Sequence, residues 1–359
     1  MVRDACLDIM NQRIHTGDKS IPVHRVAILR PFSLFLRDIG APVERRFQQA
    51  GLPYFALDNV DNYVPSHRFY SFLINTAQRE GIEDLGFHVS HKYGADSADP
   101  HMVHLLRHST TLYSGLSKAS TLINRTITNF RMGLLRSKLD DFSCFYYRPS
   151  CDADNPAIDQ IGWFGIMILI GMVREFTGPH WQPTEIGVMG NRLPTQFIRE
   201  QFPNTRIRLV QHYSYIALEN TLLGLPPSHT AHALPASPLS QFEPFAKDFV
   251  GSLEQILHSY LQENDLSIEH FASACNMSKR TLQRKLTDTG TSYSTLLDHA
   301  LFHFASRMLK DSDMTVTNIA HQLGYNDMSH FTRAFRRIAG VTPRAYRQQH
   351  NLDQEREIK

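Results

Sequence analysis

Cysteine is scarce here and never clustered. Cys6, Cys144, Cys151 and Cys275 are the only four, and none lies two to four residues from another. A local zinc knuckle or CxxC redox pair is therefore excluded, and idle or buried thiols in a reducing compartment are expected. Long apolar runs are missing too. The longest, Ile161 to Val173, falls short of the roughly 20 residues a membrane span needs. The opening stretch carries Arg3, Asp4, Asp8 and Arg13 where a signal peptide would be apolar. A cytoplasmic chain with no membrane partner is expected. No GxSxG, HExxH, phosphate-binding glycine loop or dinucleotide fingerprint occurs, so no enzyme signature is present and no cofactor is implied. An excess of one charge is also absent: 37 Lys and Arg stand against 35 Asp and Glu, a net of +2. Any surface for a polyanion has to come from local clustering.

What is present is a globular composition, 42% hydrophobic and 20% charged, over 359 residues. That length suits two domains. Residues 1–20 lack periodicity and read as a tail. From Phe32 the pattern is helical: Phe32, Phe35, Leu36 and Ile39 share a face, Gly40 ends that helix and Pro42 opens the next, through Phe47. Val64-Pro65-Ser66 reads as a helix start with Ser66 as N-cap, burying Phe69, Phe72, Leu73 and Ala77. Another helix is expected from about Tyr113 to Phe130. The period then becomes two: Leu134 to Leu139, Asp140-Asp141 and Phe142 to Arg148 predict a hairpin. Ala157 to Phe176 predicts a buried helix. Glu185 to Met189, Arg206 to Val210 and Tyr213 to Leu218 predict strands, with a short helix from Pro194 to Gln201. Residues 21–224 therefore read as a mixed α/β domain, 225–244 as a Pro- and Ser-rich linker, 245–349 as all helical and 350–359 as a charged tail.

The helical part holds two helix-turn-helix patterns. In the first, Leu266 to Thr287, Ile268, Phe271 and small Ala272 supply a core face. Asn276 takes a turn position that asks for positive φ, and Ser278 caps the next helix. Leu282 and Leu286 face inward, leaving Lys279, Arg280, Gln283, Arg284 and Lys285 outside with no acid among them. In the second, Val316 to Tyr346, Ile319, Ala320 and Leu323 repeat the core. Gly324 takes the turn, Asp327 the cap, and Phe331, Phe335 and Ile338 the inward stripe. Met328, Ser329, His330, Thr332, Arg333, Arg336 and Arg337 are left outside, with Arg344 and Arg347 beyond. Tyr293 to Leu309 is a spacer helix about 25 Å long at 1.5 Å per residue.

The stretch from Ala320 to Arg336, AHQLGYNDMSHFTRAFR, closing on Gly340-Val341-Thr342-Pro343-Arg344-Ala345-Tyr346-Arg347, resembles the signature of the AraC/XylS family of bacterial transcriptional regulators. The resemblance spans roughly Asp248 to Gln349. The N-terminal half resembles that family's arabinose-binding-like sensor domain through Gly51-Leu52-Pro53, Val64-Pro65, Leu85-Gly86-Phe87 and Leu222 to Pro227. It implies a multidomain protein: an α/β domain that senses a small-molecule effector and pairs with a second copy, ahead of an all-α domain in which a spacer helix joins two helix-turn-helix units. Double-stranded promoter or operator DNA is the implied partner, RNA polymerase a further contact, and the nucleoid the place of action.

The resemblance further implies base reading by Arg280, Gln283 and Arg284 from the first unit and by Met328, Ser329, His330 and Arg333 from the second. The chemistry suits this: Arg binds guanine bidentately, Gln does so to adenine, and Met or a hydroxyl touches a thymine methyl. Ser278, Lys279, Lys285, Arg336, Arg337 and Arg344 suit phosphate contacts, which position without choosing sequence. The chain departs from the family at Leu301-Phe302, where an arginine is usual, so packing or a phosphate contact there should differ. His101, His104 and His108 fall at i, i+3 and i+7, but only Asp99 adds a further metal-type donor. They read as a surface or interface stripe, with no metal. A repair methyltransferase on the same DNA-binding fold would need a metal-held cysteine cluster that is absent, and a purely architectural DNA binder leaves the first two hundred residues unexplained. No polar constellation nominates ligand residues.

Overall fold

The computed structural model describes residues 20–136, 141–149, 151–228, 244–261, 266–323, 325 and 327–349. The expected N-terminal tail up to residue 19, most of the linker, Gly324 and the C-terminal tail fall outside them. The chain divides into two compact units, with the boundary at 245/246.

Along the first unit run β1 (Val23–Arg25), α1 (Arg30–Asp38), α2 (Val43–Gln49), β2 (Tyr63–Pro65), α3 (Ser66–Glu80), α4 (Leu85–Tyr93), α5 (Pro100–Arg107) and α6 (Leu112–Ile123). Then come β3 (Arg131–Arg136), β4 (Phe142–Arg148), α7 (Ile158–Thr177), β5 (Glu185–Gly187), α8 (Gln196–Gln201), β6 (Arg206–Arg208) and β7 (Ser214–Glu219). The unit is mixed α/β. β1 and β2 form a two-stranded antiparallel ribbon, and the other strands make a sheet in the order β3-β4-β7-β5-β6. Among the described strands only the β5–β6 pair is parallel. The period-two segments supply the hairpin β3–β4, with Leu134 opposite Phe145; its turn at 137–140 lies outside the described residues.

The apolar run organises this core. A helix that is hydrophobic nearly all round has to be enclosed, and α7 is: Ile166, Leu169, Ile170, Met172 and Val173 have no exposed surface. It packs against α4, α5, α6, β4 and β7. Glycine sets the closest approach. A Cβ on Gly86 of α4 would lie 2.1 Å from the Gln160 carbonyl oxygen, and one on Gly171 would lie 2.6 Å from the Ala95 nitrogen. Gln160 locks the first contact by accepting from Gly86 N–H at 2.9 Å and donating to the Glu83 carbonyl.

Three local expectations are corrected. Ser66 is not the N-cap of α3; Pro65 holds that position. The Ser66 hydroxyl is buried and bonded to His24 Nδ1 at 2.8 Å, a tertiary contact that competes with capping. Ile39 is 45% exposed because α1 stops at Asp38 before Ile39 joins the buried face. The helix expected to reach Phe130 ends at Ile123. There the Asn124 amide accepts from Met132 N–H at 2.8 Å and donates to the Met132 carbonyl at 2.9 Å, and Asn129 turns with φ +58°. A side-chain clamp thus replaces the last helical turns with a tight loop into β3.

The second unit is all helical: α9 (Phe249–Tyr260), α10 (Ile268–Ala274), α11 (Lys279–Asp288), α12 (Tyr293–Asp311), α13 (Val316–Gln322), α14 (Met328–Ala339), and a last helical stretch at 343–349. α12 packs on α9, α13 and α14. Cys144, Cys151 and Cys275 are buried and not joined in a disulfide. Among the described residues no helix is long and apolar enough to cross a membrane.

Candidate nucleic-acid interface and effector pocket

Each helix-turn-helix is built from short-range signals. Ser267 caps α10 and Ser278 caps α11, accepting from the N–H of His270 and Thr281 at 3.2 Å each. Asn276 takes the turn with φ +57°, a conformation Asn tolerates better than most side chains. Phe271, Ala272, Leu282 and Leu286 are buried, and Ile268 is half-buried. In the second unit Thr315 caps α13 and Asp327 caps α14, accepting from the Ser329 N–H at 2.8 Å. That backbone donor holds the Asp327 carboxyl below the usual range. Ile319, Ala320, Leu323, Phe331 and Phe335 are buried, and Ile338 is half-buried.

The outer faces follow from those cores. Lys279, Arg280, Gln283, Arg284 and Lys285 are all exposed on α11. On α14, Ser329, His330, Arg333, Arg336 and Arg337 are exposed and Met328 is half-buried; Arg344 is exposed on the last stretch. Several cations are already engaged. Lys279 pairs with Glu269 at 2.6 Å, Lys285 sits 4.9 Å from the Phe249 ring centroid, and Arg337 pairs with Asp298 of α12. Arg347 is structural: Nε donates to the Leu309 carbonyl at 3.0 Å and Nη2 to that of Ser312 at 3.3 Å, tying the end of α12 down.

The apolar pair Leu301-Phe302 has a visible use. Leu301 is buried, and the Phe302 ring lies 5.0 Å from Phe335 and 6.2 Å from Tyr346. Phe335 and Tyr346 stack edge-on at 5.4 Å. An aromatic cluster thus fastens the spacer helix to the second recognition helix.

The first unit holds a pocket that the sequence reading did not find, of about 730 Å³ including its open mouth. Its walls come from β1, α3, α5, the Thr126–Phe130 turn, β3, β4 and α7. Ile28, Met102, Ile127, Met132, Ile161, Phe164 and Ile168 make it mainly apolar. Most of its polar members are satisfied within the fold. Arg25 is buried and paired with Asp99 and Asp61. Burial pushes the His24 imidazole down to about 3, so it is neutral. The Tyr147 hydroxyl donates to the Ile161 and Gly162 carbonyls at 2.9 and 2.8 Å, and burial raises its pKa. No short motif signals this site, because its lining is spread over several elements from residue 24 to residue 168.

The histidine stripe is split. His101 is buried with Nε2 3.2 Å from Asp61, whereas His104 and His108 stack with centroids 4.0 Å apart. Among the described residues no group of His, Cys, Asp and Glu is placed to hold a metal.

Residues 271–349 match a helix-turn-helix domain family, and 40–226, more than half the chain, match the family described as the N-terminal arabinose-binding domain of the AraC transcription regulator. The chain belongs to the AraC family of transcription regulators. Among AraC-type relatives it is 31% identical over 98 residues to the transcriptional activator NphR of Rhodococcus, covering 27% of this chain and 29% of that one. The match therefore spans under a third of the length of NphR. To the regulator VirS of Mycobacterium tuberculosis it is 23% identical over 333 residues, covering 90% of this chain and 96% of that one. The crystal structure of the transcriptional regulator CdpR from Pseudomonas aeruginosa superimposes with a TM-score of 0.38 at 17% identity, covering 90% of this chain and 98% of that one. In this AraC-family chain the expected base-reading residues lie on two capped helices of one unit, and the pocket lies in the other.

Proposed function

We propose that this AraC-family protein is a cytoplasmic, non-enzymatic regulator that binds promoter DNA through α11 and α14 as a homodimer, with the first unit sensing a small molecule. In this reading Arg280, Gln283, Arg284, Met328, Ser329, His330 and Arg333 read bases. Ser278, Lys279, Lys285, Arg336, Arg337 and Arg344 meet phosphates, and RNA polymerase is the downstream contact. The observation that carries it is the pair of capped helices with exposed arginine and glutamine faces, one on either side of a single spacer helix in the chain. That spacer, α12, has 19 residues and is about 28 Å long at 1.5 Å per residue, near the roughly 34 Å of one DNA turn.

Binding-site selection on the full chain tests it. Arg284→Ala and Arg333→Ala should each cost roughly 1–3 kcal/mol at the selected site and relax preference only at the base pairs each touches, about one turn apart. A uniform loss on all sequences, with preference unchanged, would remove base reading from those helices.

A further inference from the structure

We propose that the pocket of the first unit takes an uncharged, mainly apolar molecule bearing one hydrogen-bonding group that Ser97 meets, and that it does not take a sugar. This rests on the reading of that unit as the effector-binding part. The walls are aliphatic and aromatic, and they interrupt the core beside α7, so the favourable contribution to binding is apolar burial. What decides the class is how the polar groups on the wall are spent. Thr126 Oγ1 donates to the Ile123 carbonyl at 2.9 Å, Tyr147 donates to two carbonyls, and His24 is bonded to Ser66. Arg25 faces two carboxylates, Asp99 and Asp61.

An anionic ligand gains no uncommitted cation there and meets Asp99. A cationic ligand has to compete with Arg25 for the same carboxylates. A pentose carries a hydroxyl on nearly every carbon, and each one left unbonded in such a pocket lowers affinity about tenfold. Ser97 differs from its neighbours: it lines the pocket, is 1% exposed, and its Oγ is buried with no hydrogen-bond partner among the described residues. One hydroxyl in need of a partner at the edge of an apolar chamber fits a ligand with one polar end, such as a medium-chain alcohol.

The test uses the full chain and the uncharged fluorophore phenylnaphthylamine, displaced by decanol, decanoate, decylamine or D-arabinose. The expected order puts decanol at least about tenfold ahead of either ion, one mismatched polar group being worth a factor of about ten, and arabinose displaces nothing. Ile127→Trp and Met132→Trp, each checked for an unchanged melting temperature, should weaken probe binding about tenfold or more by filling the chamber. Ser97→Ala should lower decanol affinity several-fold and leave the probe alone. Displacement by arabinose, an ion that competes as well as decanol, or filled yet folded variants that bind like the parent would each overturn the proposal. Operator affinity is measured in the same samples. If decanol binds as expected and DNA affinity does not move, the pocket chemistry stands and the sensing reading falls.

Discussion

Exposed arginines on α14 differ in what they already touch, and this separates their expected effects. Arg337 is 62% exposed yet paired with Asp298, so a phosphate contact from it has to give up an existing partner. Arg336→Ala should reduce the slope of log affinity against log salt by about one unit, as for the loss of one phosphate contact. Arg337→Ala should reduce it by less, and DNA titrations over a salt series will read the difference; equal slopes would mean that the ion pair does not persist in solution. Buried histidine gives a second residue-level prediction. The folded His24 sits near 3 and the unfolded one near the usual 6.5, so the unfolded state binds more protons between those values. Stability contributed by the neutral imidazole is therefore complete above about pH 6.5 and falls on acidification toward about 3. His67 and His258, each lowered to about 4 by burial, act in the same direction. Denaturant unfolding of the full chain at pH 7 and pH 5 should show the loss, with a slope of at most about 1.4 kcal/mol per pH unit for each histidine. His24→Gln should flatten it.

At the scale of elements, the caps carry a prediction that separates two roles of one side chain. Ser278 caps α11 and is also assigned to phosphate binding. Ser278→Ala should lower stability by about 1 kcal/mol in the absence of DNA, as for loss of an N-cap; an unchanged melting temperature would leave only the phosphate role. The same elements explain what was legible in the chain. Caps, the Asn276 turn and the inward leucines act within four residues of one another, so the two helix-turn-helix units and their outer faces could be read directly. So could the hairpin, from its period of two, and α7, from its long apolar run. Three-residue strands such as β1 and β2 show no period, and the end of α6 is set by Asn124 reaching to Met132. Ser66 looked like a cap because its sequence neighbours are right for one, and its actual partner, His24, is forty-two positions away. The pocket escaped for the same reason: its lining is spread from residue 24 to residue 168 over several elements, with no short spacing that marks it.

For the whole molecule, the boundary at 245/246 and the two internal cores predict that the fragment 241–359 folds by itself. It should give a helical circular dichroism spectrum, unfold cooperatively and bind DNA in a salt-sensitive way. A random-coil spectrum would place part of its core elsewhere.

The position of the pocket has one more consequence, for turnover. Ile161, Phe164 and Ile168 of α7 line the chamber and belong to the central core as well. A ligand in the chamber would add packing contacts to those atoms, so the first unit should open less often and expose less cleavable chain when one binds. A ligand that fills the chamber shifts that equilibrium by mass action and lengthens the life of the protein. On the proposed reading, the number of regulator molecules should then climb with the signal itself, which would steepen the response without any change in affinity for DNA. Half-life after a translation block, with and without a pocket ligand, measures this directly; equal half-lives would confine the signal to the DNA-bound form.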